Sequence, residues 1–91
     1  MKFKDIYVLV PAFNEQKVIK DIINSLLKNF SNVIVINDGS NDRTLEIIND
    51  LDIKVLSHEI NLGVGAAVQT GFDYVSKIPD AKAVITFDAD G

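Results

Sequence analysis

The tightest constraint on how this chain can fold is a set of short apolar runs at residues 6–10, 33–36, 53–56 and 83–87, separated by stretches of helical periodicity. These runs are rich in β-branched residues, and their apolar positions are largely consecutive rather than alternate. Strands of that kind are buried on both faces. Between the first two, Val18, Ile19, Ile22, Ile23, Leu26, Leu27 and Phe30 recur at spacings of one, three and four, which predicts an amphipathic helix with Asn14 as its N-cap. A second helix is predicted from about 41 to 51, with Leu45, Ile48 and Leu51 facing inward. A third opens at the glycine loop 61–65 and carries Val64, Val68, Phe72 and Val75 on one stripe, while Ala67 and Gly71 let it lie close to its support. Pro11 reads as the end of the first strand and Pro79-Asp80 as a turn. The order is βαβαβαβ. Crossover helices between doubly buried strands imply a three-layer, Rossmann-like α/β fold with a mostly parallel sheet.

Ninety-one residues make one small domain, with no internal repeat or linker. A net charge of −4 argues against a nucleic-acid partner. The absence of cysteine excludes a disulfide framework, a thiolate nucleophile and a cysteine-type zinc site, and it fits a reducing, cytoplasmic compartment. No apolar run approaches the roughly 20 residues that span a bilayer, and the first residues do not read as a signal peptide.

Ligands of open parallel sheets sit at the carboxyl ends of the strands. The polar residues cluster there: Asn14 and Glu15 after the first strand, Asn37 and Asp38 after the second, His58 and Asn61 after the third, Asp88 and Asp90 after the fourth. Asp38, Asp88 and Asp90 would crowd negative charge on one rim, which is costly unless a cation or a set of donors neutralises it. Mg2+ or Mn2+ suits oxygen ligands. Asp88-Ala89-Asp90 reads either as a metal–diphosphate site or as an acidic turn. Residues 38–42 make a turn in which Ser40 or Asn41 caps the next helix; Asp38, at the strand end, can accept from a nucleobase ring N–H without supporting the core. Thr44 reads as ordinary helix and His58, the lone histidine, as a surface loop group. Gly63 and Gly65 are not a dinucleotide fingerprint, because Val68 stands at the third glycine and the loop follows the third strand. A tight turn and helix packing account for them.

Taken together, residues 10–15, 35–44, 61–67 with Gly71-Phe72, and 86–91 resemble, in order and spacing, the N-terminal half of an inverting family 2 glycosyltransferase with the GT-A fold. The Phe-Asp-Ala-Asp-Gly ending resembles the branch that loads sugars onto polyprenol phosphates. The resemblance implies that residues 1–91 form the nucleotide-sugar-binding half of a longer chain, with a UDP- or GDP-linked donor, Mg2+ or Mn2+ as cofactor and a polyprenol phosphate acceptor. It implies that Pro11, Ala12 and Glu15 line the base and ribose pocket, that Asp38 pairs with the base, that Asp88 lies near ribose and sugar, and that Asp90 holds the metal. Many relatives carry a cation where this chain has Val64. The general base is expected beyond residue 91, so the piece alone is expected to be inactive, the whole protein to associate with membrane, and the bare last strand to favour self-association. Two alternatives read the same polar rim differently. A nucleotidyltransferase wants a glycine- and cation-rich loop after the first strand, where residues 11–15 hold neither. A receiver-type signalling domain wants an acidic pair there, where Glu15 stands alone.

Overall fold

The apolar runs pair into a single four-stranded sheet, all parallel, in the order β3-β2-β1-β4. The computed structural model describes residues 2–89. Its elements are β1 (Phe3–Ala12), α1 (Ile19–Leu26), β2 (Phe30–Asp38), α2 (Thr44–Asn49), β3 (Lys54–His58), α3 (Val64–Val75) and β4 (Ala83–Thr86). The two central strands bury both faces, as their composition requires. Val8, Val10, Val33 and Val35 pack with Ile19 and Ile23 of α1 and Ile48 of α2. Leu9, Ile34 and Ile36 pack on the opposite face with Ala67 and Val75 of α3. Each large side chain so buried is worth roughly 1.5–3 kcal/mol. The chain steps from β1 to β2 to β3 in one direction, and then returns to the far side of β1. Right-handed crossovers therefore put α1 and α2 on one face and α3 on the other.

Several sequence expectations shift by a residue or a face. Pro11 does not end β1, but pairs in register with Ile36. The Leu9 carbonyl accepts from the Phe87 N–H, so the β4-facing edge of β1 includes Pro11 two residues on, and β4 has stopped by then. A missing N–H costs nothing at such an unpaired edge. Phe30 belongs to β2 rather than to the first helix, and Phe87 lies past β4. On α2, Thr44 and Ile48 are buried while Leu45 is exposed. On α3 the buried stripe is Ala67, Gly71 and Val75, and Val64 and Phe72 are exposed. Gly71 allows the close approach: a Cβ there would lie 2.8 and 2.9 Å from the Leu9 methyls.

Candidate functional site

Because β4 reaches only as far as Leu9 in register while β1 runs on to Ala12, a crevice opens beside β1 where the strand order switches. In open α/β sheets this is the place for a ligand. Here it is a cavity of about 320 Å³, within the size range of small-molecule sites. Pro11, Ala12, Phe13 and Glu15 line it from β1 and the loop that follows. Asp38 comes from the end of β2; Asn61, Gly63 and Val64 come from the β3–α3 loop; Asp88 and Ala89 follow β4. Of the residues singled out from sequence, Pro11, Ala12, Glu15, Asp38 and Asp88 thus meet at one cavity. Asp90, the candidate metal ligand, lies outside the described residues.

The loop after β1 is braced against the loop after β2. Asn14 adopts φ 54°, a left-handed conformation that Asn tolerates better than most residues. Its N–H donates to Ser40 Oγ (3.0 Å), and its Oδ1 accepts from the Asn41 N–H (2.8 Å). The Glu15 N–H donates to Thr44 Oγ1 (2.9 Å), and the Arg43 N–H donates to Gln16 Oε1 (2.9 Å). Asp42 takes the Thr44 N–H and hydroxyl on Oδ1, at 2.9 and 2.6 Å, and the Gln16 N–H on Oδ2. Burial pushes the Asp42 carboxyl up, but the bonds from Thr44 and Gln16 outweigh it and hold the group below its ordinary 3.8. Three expectations change here. Asn14 is a loop brace rather than the cap of α1, which begins after Val18. Asp42, not Ser40 or Asn41, satisfies the first N–H of α2. Thr44 is fully buried and brackets the backbone of Glu15, a half-buried residue that lines the cavity.

Asp38 is latched more firmly still. Its Oδ1 accepts from His58 Nδ1 (2.8 Å) and the Leu62 N–H (2.9 Å). Its Oδ2 accepts from Asn61 Nδ2 (3.1 Å) and the Gly63 N–H (2.8 Å). All four acceptor positions of a carboxylate are filled. Burial raises its pKa, but the bonds from His58, Leu62 and Gly63 prevail and keep the carboxyl below 3.8. A set of donors, rather than a cation, neutralises this member of the acidic rim. Asp38 therefore does support local structure, contrary to the sequence expectation, because it ties the β3–α3 loop to the end of β2. His58 is likewise no surface group. It is the residue paired with Asp38 in the β2–β3 register, its side chain is 11% exposed, and Nε2 meets Thr70 Oγ1 at 2.8 Å. The partnership rests on strand register, and nothing in the spacing of a lone histidine signals it. Gly39, at φ +70°, lets the same loop pass directly over β2.

The cavity wall carries Glu15, Asp38 and Asp88 but, among the described residues, no lysine or arginine. Glu15 and the exposed Asp88 are hard oxygen donors of the kind Mg2+ or Mn2+ prefers. Asp38 is saturated and is no ligand. Among the described residues no cluster of three potential metal ligands exists, so a complete set would have to draw on donors beyond them or on the diphosphate itself.

The sequence profile described as Glycosyl transferase family 2 matches residues 7–91. A UDP-N-acetylglucosamine–dolichyl-phosphate N-acetylglucosaminyltransferase of Methanococcus voltae is 36% identical, covering 100% of this chain and 43% of that protein. The putative glycosyltransferase CsbB of Bacillus subtilis is 39% identical over 99% of this chain and 30% of its own length. A dolichyl-phosphate beta-glucosyltransferase, ALG5A, of Trichomonas vaginalis is 31% identical over 92% of this chain and 30% of its own. The chain thus spans less than half the length of each of these relatives.

Proposed function

The chain belongs to glycosyl transferase family 2, and from that premise we propose that it is the donor-binding half of a sugar transferase that uses a UDP- or GDP-linked sugar. One observation carries this reading: three strand ends and the β3–α3 loop converge on a single cavity at the switch point of the sheet. Pro11 and Ala12 give an apolar floor for a flat base. Glu15 and Asp88 line the same cavity; in this reading the Glu15 carboxylate accepts from ribose hydroxyls and Asp88 serves the ribose and sugar. With a wall that bears carboxylates and no described cation, a diphosphate is repelled unless a divalent ion comes with it. Asp90, two residues past Asp88, is the proposed ligand. Bound Mg2+ or Mn2+ would supply charge neutralisation on the departing diphosphate.

In the whole protein an acceptor oxygen attacks the anomeric carbon from the face opposite the diphosphate, which inverts the configuration. The residues that hold that acceptor and take its proton are expected beyond residue 91. The names of the archaeal and protozoan relatives support a polyprenol phosphate acceptor, which would bring the whole protein to a membrane from the cytoplasmic side. Among the described residues no helix is long and apolar enough to cross one. Exposed Ile85 and Phe87, on and just after edge strand β4, support self-association of this piece. Calorimetric titration tests the donor site. UDP or GDP should bind with Mn2+ and fail in EDTA, the bare nucleoside should bind in both, and Asp90→Asn should remove the metal-dependent part. Equal diphosphate binding with Mn2+ and with EDTA would refute the metal role.

A further inference from the structure

A second cavity opens at the amino ends of β2 and β3, and we infer that it binds a neutral sugar ring. It measures about 290 Å³, close to the lower end of small-molecule sites. Its place follows from strand register. Ile34 faces α3, where it packs with Leu9, Ile36 and Ala67. Side chains two apart on a strand share a face, and so do register partners on neighbouring parallel strands. Lys54 pairs with Ile34, and Asn32, two residues before Ile34, pairs with Tyr7, so all of these stand on the α3 face. Tyr74, near the end of α3, and Ile78 close the space from the helix side. Asp52, just before β3, and Ser31, near the start of β2, complete its edge. None of its lining residues belongs to the donor cavity.

The wall is charged but balanced. Lys54 and Asp52 both line the cavity, yet they do not pair with each other. The ion pairs among the described residues are Arg43–Glu46, Asp38–His58 and Lys82–Asp5. The Lys54 ammonium lies instead 5.3 Å from the centre of the Tyr74 ring, whose face attracts a cation. The cavity thus keeps a charged donor and a charged acceptor apart. Asn32 adds a neutral acceptor, because its Nδ2 is committed to the Lys4 carbonyl (2.6 Å) and leaves Oδ1. The hydroxyls of Tyr7, Tyr74 and Ser31 can each donate or accept.

This inventory selects the ligand. A phosphate or a carboxylate would meet Asp52, and a simple ammonium would meet Lys54, in each case a like charge. A small zwitterion satisfies both charges but leaves Asn32 and the three hydroxyls without a partner. A monosaccharide carries no charge and presents several neighbouring hydroxyls, each of which gives one hydrogen and accepts others. Such hydroxyls donate to Asp52 and to Asn32 Oδ1 and accept from Lys54. The C–H side of the ring meets the apolar part of the wall, Ile34, Ile53 and Ile78. The site stands on this cavity alone and does not depend on the donor-site reading.

The chain has two tyrosines and no tryptophan. Both tyrosines line this cavity and neither lines the donor cavity, so tyrosine fluorescence reports on it directly. Titration with glucose, mannose and N-acetylglucosamine should give a saturable change for at least one of them, with glycerol as the control for bulk solvent. Inorganic phosphate and glycine should give none. Asp52→Asn and Lys54→Met, both at exposed positions, should each weaken the sugar response by about 10-fold or more. Glu15→Gln, in the donor cavity, should leave it unchanged. The inference is overturned by the absence of a saturable change with all three sugars, or by an equal response to glycine or phosphate. A response that keeps full strength in folded Asp52→Asn, or that is lost in Glu15→Gln, overturns it as well. Circular dichroism establishes that the variants fold, and the ligand comparison in the unaltered chain decides the question if one does not.

Discussion

Gly39→Ala puts the latch under direct load. A Cβ at residue 39 would lie 2.3 Å from the Ile60 carbonyl carbon, 2.4 Å from the Asn61 nitrogen and 2.7 Å from the Ile60 oxygen. All three are backbone atoms, so no rotamer change relieves the clash. Carbon atoms settle at about 3.5–4.0 Å, so the loop must retreat by about 1 Å. The bonds it makes to the Asp38 carboxylate, 3.1 Å from Asn61, 2.9 Å from Leu62 and 2.8 Å from Gly63, then stretch towards the end of hydrogen-bond range. Losing even one charge-assisted bond costs about 1.5–3 kcal/mol. Holding alanine at φ +70° adds about 1–2 kcal/mol. The expected loss is about 3–5 kcal/mol, a large share of the roughly 5–14 kcal/mol available to a chain of this length. Urea unfolding followed by circular dichroism reads the loss as a lower midpoint at unchanged slope, and titration with UDP should show weakened binding. A variant with the parent's midpoint and the parent's UDP affinity would refute the claim that this contact holds the loop down.

Gly65→Ala is the matched control. It lies within α3 with nothing within 4 Å of its would-be Cβ, so it should raise stability by about 0.5–1 kcal/mol, seen as a higher melting temperature; a lower one would contradict the helix assignment. Acid should dismantle the brace and the latch together. Asp38 and Asp42 titrate below their ordinary 3.8 in the folded chain, so the unfolded chain binds more protons in that window, and the stability present above pH 3.8 is lost as pH falls through the folded values. Urea midpoints should drop below that pH and drop less in Asp42→Asn, and a midpoint indifferent to pH between 5 and 2 would contradict both shifts.

The sheet was legible in the sequence because doubly buried strands announce themselves by uninterrupted Val and Ile, as at 33–36. The gathering of Glu15, Asp38 and Asp88 was legible because strand ends in such sheets share one rim, whereas Pro11 and Ala12 were marked only by the family resemblance. What escaped was everything decided by pairing between distant segments. Asn14, Ser40, Asn41, Asp42 and Thr44 all have respectable local roles as caps or turn residues, and local chemistry cannot reveal that they bond across 26–29 positions. His58 became visible only through the β2–β3 register. Pro11 was misplaced because a proline is a strand breaker only where its N–H has a partner to lose. The inward stripe of α3 was read in part: Val75 and the close approach at Ala67 and Gly71 were legible, but Val64 and Phe72, the larger apolar residues, were wrongly turned inward.

The position of β4 also bears on the order in which the molecule comes together. β1, β2 and β3 are sequence neighbours, so their pairings, the brace and the latch close over short stretches of chain. β4 pairs Ala83 with Ile6, nearly the full length of the chain apart, and such distant closures carry the greatest entropic cost. On a ribosome, the three-stranded part is already synthesised when Ala83 emerges, and domains mature from the N-terminal side. The crevice has only one wall until that strand docks. A nascent chain therefore completes the wall of this cavity in a single late event, after most of its core is in place.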